Sequence, residues 1–142
     1  MNSRIFIGGS IAIILAVIFV KLYQFTKHGK SRSKEQILEE CFGVPTYVST
    51  LSLTDVRDWI KARGYLLTTN SKAVVLKVND ETLKSIGKDL GLCGSADNYL
   101  IIAIVDESEK GIKASSLVKY EYLENQLNKM LENGKGVLVI ER

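Results

Sequence analysis

The apolar positions of this chain fall into three patterns, and each predicts a different kind of element. Ile5 to Val20 is an unbroken run without a charge. Helical spacing recurs at Leu53, Val56, Trp59 and Ile60, at Leu83, Ile86 and Leu90, and at Leu123, Leu127, Met130 and Leu131. Short dense or alternating runs occupy Ala73 to Val78, Tyr99 to Val105, Ile112 to Val118 and Val137 to Ile140, at lengths that suit strands.

Polar punctuation sets the boundaries. Glu35 to Cys41 extends as a helix from a linker, until Gly43, Val44 and the single proline, Pro45, break it before an extended Thr46 to Thr50. Ser52 caps a helix over Leu53 to Arg63, with Asp55 at its positive end, a Leu51 to Val56 staple and Gly64 as the stop. Tyr65 to Thr69 is read as a short strand. Asn79 or Asp80 caps the helix that ends in a glycine-bearing loop, Gly91 to Asn98. Asp106 to Gly111 forms a hairpin turn, and a helix is expected from about Tyr120 to Glu132 before Gly134 and Gly136 release the chain.

These elements predict an α+β domain over 37–142 with a mixed or antiparallel sheet. From Ala73 the order is strand, helix, strand, hairpin strand, helix, strand, which is also the order of ferredoxin-like βαββαβ domains. That topology would put Tyr99 to Val105 at a sheet edge, where so apolar a strand invites aggregation. Either N-terminal elements or a partner covers it, or the strand order differs.

The unbroken run predicts a membrane anchor over 1–26. Eleven of the sixteen residues from Ile5 to Val20 are Ile, Leu, Val or Phe, and together they favour insertion by about 3 to 7 kcal/mol. Leu22, Tyr23 and Phe25 extend the apolar length, while Lys21 snorkels to the interface. Lys21 to Thr26 offers no small-x-small cleavage site, and Asn2 excludes myristoylation, so the anchor is expected to be uncleaved. Gly8, Ala12 and Ala16 place small side chains on one helical face, where a second copy can approach closely, so a homodimer through the anchor is one expected partner state.

Charge divides the chain where hydropathy does. Residues 1–34 carry six cations and no acid, whereas the remaining 13 cations face all 16 acids, leaving the domain at −3. The basic linker over 27–36, with Lys21 before it, puts Lys21, Lys27, Lys30, Arg32 and Lys34 beside the lipid headgroups. By the positive-inside rule the C-terminal domain lies in the cytoplasm; the alternative is an exported, extracytoplasmic domain. A mildly acidic domain lacks the field that draws nucleic acid, and Ala73 to Val78 and Ile112 to Val118 hold no aromatic on which a base can stack.

Candidate chemistry is sparse. Gly29, Lys30 and Ser31 imitate the end of a phosphate loop, but Gln24 stands where the earlier glycine is required. Asp106, Ser108, Lys110 and Gly111 imitate a calcium loop, but Lys110 would take a ligand position and Leu117 that of the final glutamate. His28, the one histidine, lies in the linker, and Cys41 and Cys93 lack metal-ligand spacing. No catalytic residue, metal ligand or cofactor is assigned, and no enzyme activity is expected. Only Gly91 to Asn98 has the composition of a binding loop: Gly91, Cys93, Gly94, Ser95 and Asp97 offer backbone amides, a thiol and a carboxylate. The reading is a single-pass, membrane-tethered module that contacts an unidentified protein partner; the alternative is a tethered domain that senses a small ligand.

Overall fold

The computed structural model describes residues 4–6, 16–18, 20–22, 33–78 and 97–141. In chain order the elements are β1 (Arg4–Phe6), α1 (Lys34–Phe42), β2 (Thr46–Leu51), α2 (Leu53–Ala62), β3 (Ser71–Val78), β4 (Tyr99–Asp106), β5 (Gly111–Leu123), α3 (Asn125–Asn133) and β6 (Val137–Glu141). The fold is a small mixed α+β domain. Its five strands β2 to β6, joined at one edge by the three residues of β1, form a sheet in the order β1-β6-β3-β4-β5-β2. Every neighbouring pair is antiparallel except β2 and β5, which run parallel.

This order corrects the ferredoxin-like expectation, in which the strands equivalent to β3 and β5 would be neighbours. Here β4 lies between them, and every one of its residues is buried. The physical reason is the run Tyr99 to Val105 itself: a strand apolar on both faces is buried by layers on both sides, and an interior position also pairs both of its edges, which removes the aggregation hazard of an apolar edge. Consecutive antiparallel pairing of β3, β4 and β5 achieves it with a single tight turn.

Alternate residues of the sheet build two cores. On one face Val74, Leu76, Tyr99, Ile101, Ala103, Leu117 and Val139 meet Ile37, Leu38, Cys41 and Phe42 of α1. On the other, Val75, Leu100, Ile102, Ile104, Val118, Tyr120 and Leu138 meet Val56 and Ile60 of α2 and Leu127 and Leu131 of α3. Capping boxes start two of these helices. Ser33 Oγ accepts from Gln36 N at 3.1 Å while Gln36 Oε1 accepts from Ser33 N at 3.1 Å, and Ser52 and Asp55 make the same exchange at 3.1 and 3.0 Å.

Two further expectations are corrected. Tyr65 to Thr69 is no strand; Gly64–Leu66 is a 3₁₀ turn, with Tyr65 79% exposed. The helix expected from Tyr120 begins only at Asn125, because β5 continues to Leu123 along β2. Its end is sterically fixed: a Cβ on Gly134 would lie 2.0 Å from the Val137 carbonyl oxygen, and Gly136 has φ +89°.

Among the described residues no helix is long and apolar enough to cross a membrane. Within the expected anchor, residues 16–18 and 20–22 are helical and Arg4–Phe6 pairs with β6. Ala16 and Val20 are exposed, whereas Val17, Ile18 and Leu22 are buried in the same core as α1. Burial of each such aliphatic side chain is worth about 1.5 to 3 kcal/mol. Gly8, Ala12, Lys27, Lys30, Arg32 and the helix expected over Asn79 to Leu90 lie outside the described residues.

Candidate functional site

The feature of the surface that offers most to a partner is the β2 edge of the sheet. β2 reads TYVSTL, without a charge, and only its last residue is buried. It pairs with β5 on one side, from Thr46 opposite Val118 to Leu51 opposite Leu123, and ends the strand order on the other. Beyond Asn98 the β4 ladder stops: Tyr120 N donates to Asn98 O at 3.0 Å, and the register of β4 with β5 runs no further than Tyr99 opposite Lys119. The end of β5 therefore has β2 as its strand neighbour among the described residues.

A groove of about 690 Å³ follows this two-stranded ribbon. Tyr47, Val48 and Ser49 of β2, Lys119 to Tyr122 of β5, and Asn98 line it. Tyr47 and Tyr122 are 72% and 69% exposed, two aromatic surfaces at a sheet edge. Asn98 holds φ +63°, a left-handed conformation that asparagine tolerates, and it lines the groove. Of the binding-loop residues named from sequence, only Asp97 is described. It is exposed, and its carbonyl oxygen accepts from Lys119 Nζ at 2.6 Å. Gly91, Cys93, Gly94 and Ser95 lie outside the described residues.

Two buried tyrosines flank the ribbon, one in each core. Tyr99, 1% exposed, donates from Oη to Glu35 Oε2 at 2.6 Å and so ties α1 to β4, while Lys119 Nζ sits 4.3 Å from its ring centroid. Burial first, and then the hydrogen bond to Glu35, push its phenol well above the ordinary range. Tyr120 is 5% exposed, and its Oη has no hydrogen-bond partner among the described residues. Burial, assisted by the charge of Asp97, raises its pKa as well. The two tyrosines at the end of β5 thus divide: Tyr120 belongs to the core and Tyr122 to the surface.

Elsewhere the polar groups have structural work. Asp106 Oδ1 accepts from Ser108 N at 2.9 Å, Ser108 Oγ at 2.7 Å and Glu109 N at 3.0 Å, which folds the β4 to β5 turn. These bonds, the one from Glu109 N foremost, hold its carboxyl at about 2. Cys41 is a free, buried thiol pushed up to about 12 by burial, a state without nucleophilic reactivity at neutral pH. Among the described residues no three His, Cys, Asp or Glu side chains are grouped to hold a metal ion.

Comparison with protein-family models, with curated proteins and with solved structures finds no match. The functional reading therefore stands on the residues and their geometry.

Proposed function

We propose that the chain is a single-pass, membrane-tethered, non-enzymatic α+β module that holds its domain at the cytoplasmic face and binds a protein partner along the β2 edge. The observation that carries the contact surface is β2 itself: six uncharged residues, four of them exposed, ending the strand order with Tyr47 exposed on it and Tyr122 exposed on the neighbouring β5. Natural edges are protected by charge, proline or shortness, as at the opposite edge, where β1 has three residues and includes Arg4. An unprotected edge of this length suits an extended segment that adds a strand, with backbone bonds giving affinity and Tyr47 and Tyr122 giving side-chain contacts. The apolar run and the basic residues after it support the tether and its orientation.

A photo-crosslinking side chain at Tyr47 tests the contact in cells. A discrete heteromeric adduct is expected at Tyr47, none from the same group at Tyr65, and loss of the Tyr47 adduct on adding Ser49→Lys. Equal adducts from both positions would refute it, and an adduct of twice the chain's mass would reassign the edge to self-pairing. The orientation is tested by Tyr65→Cys, which an impermeant maleimide is expected to label only after lysis. Labelling in intact cells would place the domain outside.

Small-ligand sensing is the second reading, favoured by the groove, whose lining includes Asn98, the last residue of the loop singled out from sequence. A metabolite that raises the melting temperature, and no longer does so after Lys119→Ala, would support it over the protein contact.

A further inference from the structure

The residues expected to enter lipid are also residues of the protein core. Val17, Ile18 and Leu22 are 7%, 0% and 2% exposed and share a core with Ile37, Leu38, Cys41 and Phe42 of α1 and with the sheet. The contact continues through Lys21: its carbonyl oxygen accepts from Cys41 Sγ at 3.8 Å, and its ammonium lies 5.6 Å from the Phe42 ring centroid. A bilayer-spanning helix turns such side chains toward lipid, so positions 17, 18 and 22 cannot occupy both environments at once.

The two environments are closely matched. The insertion energy of Ile5 to Val20 and the burial of three aliphatic side chains on the sheet are of the same order, so the surroundings decide between them. We infer that the segment holding residues 16–22 is an exchangeable element, docked on the α1 face of the sheet away from membranes and released from it to insert when an anionic bilayer is present. The lipid surface is the competing partner, attracted by the cations that follow the apolar run. α1 is equipped to stay behind, because the Ser33 capping box and the Tyr99 to Glu35 hydrogen bond hold it without help from residues 16–22. Release uncovers Cys41 and Phe42, frees β6 of its three-residue partner β1, and leaves the packing of α2, α3 and Trp59 on the opposite face in place. This inference rests on the tether of the proposed function and adds that the anchor has a second seat.

Cys41 reports the exchange. The full chain with Cys93→Ser, prepared without detergent, is exposed to a water-soluble maleimide alone and with phosphatidylcholine–phosphatidylglycerol vesicles, while flotation measures binding and Trp59 fluorescence monitors the other face. Slow labelling alone, and labelling at least about tenfold faster once the chain floats with vesicles, with Trp59 unchanged, is expected. Phe42→Ala, which loosens the seat without altering the apolar run, is expected to speed labelling in the absence of vesicles. Flotation with Cys41 still protected would overturn the exchange while leaving the tether standing; absence of flotation would overturn both. Fast labelling of the unmutated seat without vesicles would also overturn it, because no docked state would exist.

Discussion

Replacing Tyr120 by Phe removes one oxygen from a ring that is 5% exposed, and that oxygen has no hydrogen-bond partner among the described residues. Burying a hydroxyl without compensation costs about 1 to 3 kcal/mol, and the phenylalanine ring keeps the packing against the α2 and α3 face. Tyr120→Phe is therefore expected to stabilise the domain by about 1 kcal/mol, the lower end being chosen because the vacated volume is left unfilled. In urea, with a slope of about 1 to 3 kcal/mol/M, this moves the midpoint up by roughly 0.3 to 1 M. pH supplies an internal control. The folded-state pKa of Tyr120 is raised, so its stability contribution is complete below the ordinary value near 10 and is lost as pH rises through the folded value. Tyr99 is raised too, so the unmutated chain and Tyr120→Phe both weaken above pH 10, the unmutated chain more steeply. A lower urea midpoint for Tyr120→Phe at pH 7, with an unchanged slope, would refute the reasoning, because it would mean that the hydroxyl is satisfied.

Tyr99→Phe removes the bond that ties α1 to β4; because Glu35 is exposed and water replaces its partner, a loss of about 1 kcal/mol is expected in the same urea titration. Gly134→Ala places a methyl against the Val137 carbonyl and is expected to cost about 1 to 3 kcal/mol, seen as a lowered melting temperature. The Asp106 carboxyl is lowered to about 2, so its contribution is complete above its ordinary value near 4 and is lost as pH falls toward 2. Asp106→Asn is accordingly expected to flatten the acid limb of a thermal-stability profile between pH 4 and 2, and an unchanged acid limb would count against the turn's role.

What was legible in the sequence was local. Ser52 with Asp55, the hairpin turn from Asp106 to Gly111 and the stop at Gly134 are each written within a few residues, and the fold contains them. The interior place of β4 was half legible, since its apolarity on both faces already conflicted with an edge. The end of β5 was misread because Leu123, Leu127, Met130 and Leu131 fit a helical stripe. The β-favouring Tyr120 and Tyr122 argued for strand, but what decided the matter was β2, a parallel partner far away in the chain. For the same reason nothing nearby could say which tyrosine would be buried. The Tyr99 to Glu35 bond joins residues 64 positions apart and leaves no local trace. The groove was glimpsed only through Asn98, the last residue of the loop singled out by its glycines.

The parallel ladder of β2 on β5 also imposes an order of events. Thr46 meets Val118, so nearly the whole domain must leave the ribosome before the first β2 bond has anywhere to form. Closing so long a loop is entropically costly, and pairing of β4 with β5 through their short turn, then of β3 with β4, is expected to come first. β2 then waits through synthesis as an uncharged extended segment until the second half of β5 has emerged. Any chaperone that attends this chain during synthesis has its most urgent client in residues Thr46 to Leu51.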